Sequence, residues 1–565
     1  MKLSDYVALF LKTKVDTVFC VTGGCIVHLI DSVAKVNLHY LPMQHEQNCA
    51  FAADAYSRIH GFGAVLTTSG PGATNLLTGV CSSFYDSVPV LYITGQVPSN
   101  HLKKGGERQI GFQETDVLSI FRSVTKYVAQ IRNPAFIRYE LEKAFYIANE
   151  GRKGPVLLDI CDDVQRAEID PEKLVPHRPH SNPALPLDIE PVIRMIEESE
   201  RPLFIFGAGA KEAELEKLIL KYHIPFTLTW GAIERFETDH PLFAGTFGVS
   251  STRSGNFAVQ NADLLVCLGT RLDTHETGSN YKDFAPRAKK IIVDIDKEEQ
   301  AKYERRGLDA VLITADAKLV VEEMLKHDPK PSSRQWIERI QNWRMKYPVV
   351  TEEDRKQDVC INPYVFMETL GRVADQDAII VADSGSTNGW AAQAFNIKHH
   401  KIIHAWNHSP MGYGLPAGIG AAMASKKQII VIAGDGGFQM SLPELATLVR
   451  HQINLKIFVM NNHGYGMIKG TQDSWLDKRY NASSVACGLP DIDFMNIARA
   501  YGLAVCNLDV DLKADLKAIF ETPGPVLVNV NMKSKMQIAP KLLYGSRFED
   551  LSPKLPEEEL KENMC

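Results

Sequence analysis

A chain of 565 residues, 45% hydrophobic and 23% charged, is too long for one core and divides into three or four globular domains. Its formal charge of −6 comes with no basic stripe and no polybasic cluster, which excludes nucleic acid and a membrane surface as partners. The N-terminus lacks an apolar signal core, the longest apolar runs are strand-sized, and the ten cysteines include no C-x-x-C pair, so a cytoplasmic protein with reduced, mostly buried cysteines is expected.

Residues 1–168 form the first predicted domain, with strands at 17–21, 64–68 and 88–94 and helical patterns between them. Gln44-His45-Glu46 ends a short extended run and opens an alanine-rich helix that continues to Tyr56. Residues 169–186 hold five prolines and two histidines and predict a linker. The second domain, 187–330, has strands at 203–206, 264–268 and 290–293. A polar stretch with two prolines at 327–333 leads into a second linker, 331–360. The third domain, 361–540, has strands at 378–382, 428–433, 455–460 and 526–530. The tail, 541–565, is charged and carries a Pro-Glu-Glu-Glu run, which predicts a surface arm rather than core. Continuous apolar strands alternating with helices imply parallel sheets covered on both faces, hence an α/β protein of three doubly wound domains. Ligands of such sheets lie at the carboxyl ends of the strands.

The strongest chemical pattern is in the third domain. Gly434-Asp435-Gly436 follows the run 428–433 and Asn461-Asn462 follows the next, with 24 residues between the motifs. Glycines let the backbone approach a phosphate and offer it their amides. An Asp carboxylate and an Asn amide oxygen ending neighbouring strands are hard ligands, which magnesium accepts alongside a substrate's phosphates. Either motif alone reads as a turn; the paired spacing after two strands favours the ligand role. In the first domain Glu46 opens a helix, where a carboxylate serves either the helix dipole or proton transfer. Ser69-Gly70-Pro71-Gly72-Ala73-Thr74-Asn75 follows further on. In the second domain Phe206-Gly207-Ala208-Gly209 begins like a dinucleotide fingerprint but lacks its third glycine.

These motifs resemble thiamine-diphosphate enzymes. Thr94-Gly95-Gln96-Val97-Pro98, Gly111-Phe112-Gln113-Glu114, Met411-Gly412-Tyr413-Gly414-Leu415-Pro416 and Gly466-Met467 narrow the resemblance to acetohydroxyacid (acetolactate) synthases over nearly the whole chain. The resemblance implies pyrimidine-binding, central FAD-binding-like and diphosphate-binding domains. It implies Asp435, Asn462 and the carbonyl of Gly464 as magnesium ligands. It implies contacts to thiamine diphosphate from Gly24, Gly385, Ser386, Thr387, Gly436, Gly437, Met411 beneath the bent cofactor, and Met467. Glu46 would reach N1′ of the aminopyrimidine, and Gln113, with Phe112, would line the reaction pocket. Gly269-Thr270-Arg271-Leu272-Asp273 and Val293-Asp294-Ile295-Asp296 resemble an FAD site built on Arg271, Asp273 and Asp294, where Arg271 would also meet the second substrate's carboxylate. A homodimer or homotetramer is implied, with the cofactor between the first domain of one copy and the third domain of another.

The chain also departs from that family. Thr471 stands where the synthases carry a Trp that favours 2-oxobutanoate, Asp162 replaces a Lys, and Val249-Ser250-Ser251 replaces the flavin-contacting Met-His-Gly. Trp475, one helical turn after Thr471, could refill the lost volume. The expected function is a carboligase that decarboxylates pyruvate or a similar 2-oxo acid and adds the acyl unit to a second carbonyl, including a larger ketone or sugar acceptor. A 2-oxo-acid decarboxylase is an alternative, although Ser99-Asn100-His101-Leu102-Lys103 holds one histidine where decarboxylases carry a pair. A flavin-dependent oxidase and a non-catalytic cofactor-binding homologue complete the set; intact Glu46, Asp435 and Asn462 speak against the last.

Overall fold

The computed structural model describes residues 1–179, 187–356, 360–508 and 511–564. The part of the predicted linker at 180–186 lies outside the described residues. The strands form three six-stranded sheets in which neighbours pair in parallel. The first contains β1 (Thr17–Cys20), β2 (His39–Pro42), β3 (Gly63–Thr67), β4 (Val90–Gln96), β5 (Tyr127–Ile131) and β6 (Val156–Cys161), in the order β2-β1-β3-β4-β6-β5. The second contains β7 (Pro202–Phe206), β8 (Phe226–Leu228), β9 (Phe243–Thr246), β10 (Leu264–Leu268), β11 (Lys289–Asp294) and β12 (Val311–Thr314), in the order β12-β11-β10-β7-β8-β9. The third contains β13 (Ile379–Ala382), β14 (Lys401–Ile403), β15 (Ile429–Gly434), β16 (Leu455–Asn461), β17 (Ala504–Asn507) and β18 (Val526–Asn531), in the order β14-β13-β15-β16-β18-β17. The three doubly wound domains expected from the strand pattern are present.

The first and third sheets share one wiring, with the chain reversing direction between the first and third strands of each. The second has the dinucleotide-type order, which reverses between β7 and β10. Loops diverge at these switch points and leave a crevice there. The continuous apolar strands follow from burial on both faces. Ile430 and Ile432 of β15 pack into a core with Phe366 and Phe458, while Ile429, Val431 and Ala433 pack into a core shared with the first domain. Each Ile, Val and Phe among them contributes about 1.5–3 kcal/mol on burial. The shared core is sealed where the helix Glu46–His60 crosses the helix Gly414–Ala424. Small residues allow the close approach: a Cβ on Gly420 would lie 2.0 Å from the Ala52 carbonyl oxygen.

Some expectations need correction. The tail 541–565 is not simply a surface arm: Phe548, Leu551 and Leu560 are 0–2% exposed, and Phe548 and Leu560 join Trp336, Ile340 and Trp343 in a core on the second domain. Its apolar residues are too widely spaced among charges to show a period. Residues 331–360 carry a helix, Arg334–Lys346, whose Trp336 and Trp343 face that same core. Edge strands such as β2 and β12 were not expected because an edge is half covered and its sequence mixed; only Leu41 of β2 is buried. Of the nine described cysteines, all unpaired, four are buried and five partly exposed, so they are less buried than expected. Among the described residues no helix is long and apolar enough to cross a membrane.

Candidate cofactor and active site

Strand register assembles the third domain's loops. Ala382 pairs with Ile432 and Gly434 with Met460, so the segments starting at Asp383, Asp435 and Asn461 leave one sheet edge side by side. Asp435 accepts the Gly436 N–H through Oδ1 and the Gly464 N–H through Oδ2, each at 2.8 Å. Burial raises its pKa, and those two amides oppose the rise. Asn462 is buried, and among the described residues its side-chain amide has no partner, leaving its oxygen available. Gly436 is pinned between Tyr465 and Met411: a Cβ there would lie 2.3 Å from the Tyr465 ring and 3.1 Å from Met411 Cε. Gly385, at φ +95°, stands close to Met467.

Gly385, Ser386, Thr387, Met411, Asp435, Gly436, Gly437, Asn462, Gly464 and Met467 all line one cavity of about 1170 Å³. Arg271, Asp273 and Asp294 line it too, from the carboxyl ends of β10 and β11. Asp273 caps the short helix Thr274–Thr277, its Oδ1 accepting the His275 N–H at 2.8 Å. Asp294 is buried, and burial raises its pKa. In the departing segment, Val249 and Ser250 line the cavity, while the buried Ser251 donates to the Gly248 carbonyl at 2.8 Å.

The donors suit magnesium and a diphosphate. Among the described residues no cluster of three or more His, Cys, Asp or Glu could hold a metal, so a cation here would take one carboxylate, amide and backbone oxygens, and the ligand's phosphates. Two positioning residues were not anticipated. Asp383 is wholly buried; its Oδ1 accepts the Ser384 and Gly412 amides at 2.6 and 3.0 Å and its Oδ2 the Gly414 amide at 3.0 Å. It thereby fixes the Met411 loop against the segment 384–387, and burial pushes it up to about 6. An Asp ending an apolar strand before Ser-Gly-Ser was the signal available. Lys469 is buried and donates to the carbonyls of Asn462 at 3.2 Å and Ser534 at 3.3 Å, bracing the cation loop; an isolated Lys in a helix gives no such signal.

The first domain's residues gather elsewhere. Glu46 is the first residue of its helix and 9% exposed; Asn75 Nδ2 donates to its Oε2 at 2.9 Å. Gln113, at φ +65°, packs on Gly70, whose added Cβ would lie 3.0 Å from it. Phe112 is 85% exposed, and Gly24 is exposed beside Gly23, which fits under Thr68. None of Gly24, Glu46, Phe112, Gln113 or Thr471 lines the cavity. Thr471 is exposed on the helix Gly466–Trp475, its hydroxyl donating to the Met467 carbonyl at 3.1 Å. Trp475 turns toward the tail, edge-on to Tyr544 at 6.0 Å. Glu444, which no sequence signal marked, is buried and accepts from Gln44 N–H and Asn48 Nδ2 at 3.0 and 2.9 Å, tying the Glu46 helix to the segment after Asp435.

A strand-end loop set offering amides to a diphosphate and oxygens to a cation defines a diphosphate-cofactor enzyme of the doubly wound class. Residues 1–120, 189–324 and 383–530 match, respectively, the N-terminal TPP binding domain, the central domain and the C-terminal TPP binding domain of thiamine pyrophosphate enzymes. The chain is 34% identical to the acetolactate synthase large subunit of Cyanidium caldarium, covering 95% of this chain and 94% of the relative. It is 30% identical to the acetolactate synthase isozyme 1 large subunit of Escherichia coli, with 96% of each covered, and 32% identical to the acetolactate synthase large subunit of Lactococcus lactis, with 95% and 93% covered. The chain belongs to the thiamine pyrophosphate enzyme family, in its acetolactate synthase-like branch.

Proposed function

We propose that this enzyme is an acetolactate synthase-like carboligase, which decarboxylates pyruvate or a similar 2-oxo acid and joins the remaining acyl unit to a second carbonyl. The observation that carries the reading is the emergence of Asp435 and Asn462 from adjacent strands into the cavity that also holds Gly385 and Met411. Thiamine diphosphate, when bound, supplies the carbon that takes up the 2-oxo acid and accommodates the electron pair left by decarboxylation. Asp435, Asn462 and the Gly464 carbonyl hold magnesium, and amides of the segments 385–387 and 436–437 receive the diphosphate. Met411 and Met467 flank the cofactor's middle. Asn75 Nδ2 donates to Oε2 of Glu46 and orients the carboxyl group, which would share a proton with N1′ of the bound cofactor. Gln113 and Phe112 close the pocket over the substrate.

Because Glu46 does not face the cavity of its own chain, the working unit is a homodimer or a homotetramer, in which another copy brings the first-domain residues to the cavity. FAD fits the second domain: Gly209 and Gly269 line the cavity beside Arg271, whose guanidinium has no ion-pair partner among the described residues, and Asp294, which lines it too, would be the acid for a ribose hydroxyl. Arg271 also suits a substrate carboxylate. The test is to incubate the protein, thiamine diphosphate and Mg²⁺ with pyruvate and candidate acceptors and identify products by mass. A ligated product with release of carbon dioxide is expected; aldehyde alone would make it a simple decarboxylase.

A further inference from the structure

The helix Glu46–His60 meets the third domain at two places. Its middle is held by packing and one bond: Gly420 fits against the Ala52 carbonyl oxygen, and the Tyr413 hydroxyl donates to Asp54 Oδ1 at 2.7 Å. Asp54 is wholly buried, and its other partners, Arg58 Nε at 2.7 Å and Ser83 Oγ at 2.9 Å, belong to the first domain. Its first turn is held by Glu444. That carboxyl group is wholly buried, and among the described residues no cation lies within ion-pair distance of it. Oε1 accepts the Gln44 N–H at 3.0 Å and Asn48 Nδ2 at 2.9 Å, and Oε2 accepts Thr447 Oγ1 at 2.9 Å. Thr447 in turn accepts from Gln44 Nε2 at 3.3 Å. One side chain of the third domain thus grips the residues two positions before and two positions after Glu46.

A carboxylate is a costly choice for this place, because it is buried without a cation and its donors are neutral. Burial accordingly raises its pKa, and Asn48, Thr447 and Gln44 oppose the rise. What it supplies is geometry: an ionised carboxyl group accepts on both oxygens and donates nothing, which matches a turn that presents it with donors. Glu46 has little else to aim it. Among the described residues Asn75 Nδ2 is the one group that hydrogen-bonds its side chain, and no cation lies within ion-pair distance. With a single side-chain bond, the direction of the Glu46 carboxyl group follows the backbone of residues 44–48. Glu444 does not line the cavity, so it acts only through that turn.

We propose that Glu444 is the positioning residue of Glu46: by gripping Gln44 and Asn48 from the third domain, it sets the direction in which the Glu46 carboxyl group leaves its helix. The role rests on the reading of Glu46 as the group that shares a proton with N1′ of the cofactor. Tyr413, Asp54 and Gly420 keep the helix docked when Glu444 is replaced, so a lost grip separates from a lost fold. The test measures exchange of the cofactor's C2 proton by NMR, together with thiamine diphosphate affinity and Tm, in protein saturated with thiamine diphosphate and Mg²⁺. Glu444→Ala is expected to slow exchange about tenfold while affinity stays within about twofold of wild type, because misdirecting a reacting group costs rate rather than binding. Glu444→Gln keeps an oxygen for the Gln44 N–H and Asn48 and is expected to recover most of the rate. Asn48→Ala is expected to slow exchange less, and Asn48→Ala/Glu444→Ala no more than Glu444→Ala alone, since the two side chains share one contact. Unchanged exchange in Glu444→Ala overturns the proposal. So does a loss of exchange that tracks equal losses of affinity and Tm and that Glu444→Gln does not recover, the mark of a merely structural residue. If Glu444→Ala does not fold, Asn48→Ala decides, and unchanged exchange there overturns the proposal. Exchange lost in Glu46→Gln but intact in Glu444→Ala defeats this role alone; exchange indifferent to Glu46→Gln defeats the reading of Glu46 with it.

Discussion

In the third domain every group expected to hold a diphosphate or a cation faces one cavity, and buried Asp383 and Lys469 fix the loops that carry them. In the first domain the buried Glu46 and the Gln113 segment, whose Phe112 is 85% exposed, lie apart from that cavity. The contrast teaches that the groups suited to a diphosphate and a cation are organised within one cavity, while Glu46, proposed above for proton transfer, stands on a separate platform outside it.

The sharpest way to break this division is to disable each platform in turn. Glu46→Gln is expected to keep cofactor affinity while slowing exchange of the cofactor's C2 proton by hundreds-fold or more, read by NMR; unchanged exchange removes Glu46 from the chemistry. Asp435→Asn is expected to do the converse, weakening thiamine diphosphate and Mg²⁺ binding by about a hundredfold in titrations, with Glu46 untouched. Mixing the two inactive variants after subunit exchange then tests whether the platforms come from different copies. Activity of about a quarter of wild type is expected, from hybrid dimers with one intact site. No recovery after proven exchange would place both platforms in one chain.

How much of this was legible in the sequence differs between the platforms for the same reason. Gly434-Asp435-Gly436 and Asn461-Asn462 could be placed because each directly follows a strand, and strand order brings their ends together without further information. Glu46 could be recognised as a helix-opening acid, but its separation from Asp435 depends on how the helix Glu46–His60 packs on the helix Gly414–Ala424, a contact between residues more than 350 positions apart. Asp383 was passed over although it ends an apolar strand before Ser-Gly-Ser, because its partners, the amides of Ser384, Gly412 and Gly414, meet it only once loops of the same domain fold together. The tail was misjudged because Phe548, Leu551 and Leu560 are scattered among charges.

The remaining effects are smaller. His404 lies in the third-domain core, with Nδ1 2.9 Å from the Ala382 carbonyl oxygen and Nε2 3.2 Å from Ser409. Burial pushes it down from 6.5 to about 4. The neutral ring is therefore the folded form: its contribution is complete above pH 6.5 and is lost as the pH falls toward 4. That loss is about 3 kcal/mol, order of magnitude. Thermal melts at pH 7 and 4.5 should show a steeper decline in wild type than in His404→Gln; parallel declines would assign the acid sensitivity elsewhere. Smallest is Thr471→Trp. An aromatic wall added beside Met467 should raise the preference for 2-oxobutanoate over pyruvate as acceptor by about tenfold. No change in a competition assay would mean that Thr471 faces away from the acceptor, as Trp475 already does by packing on Tyr544.

The packed tail has a practical side. Asn563 is buried, its side chain accepts from Trp343 Nε1 at 2.8 Å, and its carbonyl accepts from Asn261 at 2.9 Å. A purification handle fused after Cys565 would start two residues beyond that anchorage and compete with it. Removal of residues 541–565 would uncover Trp343 and Phe284 together, so a shortened protein should be prone to aggregate rather than merely to lose a decoration.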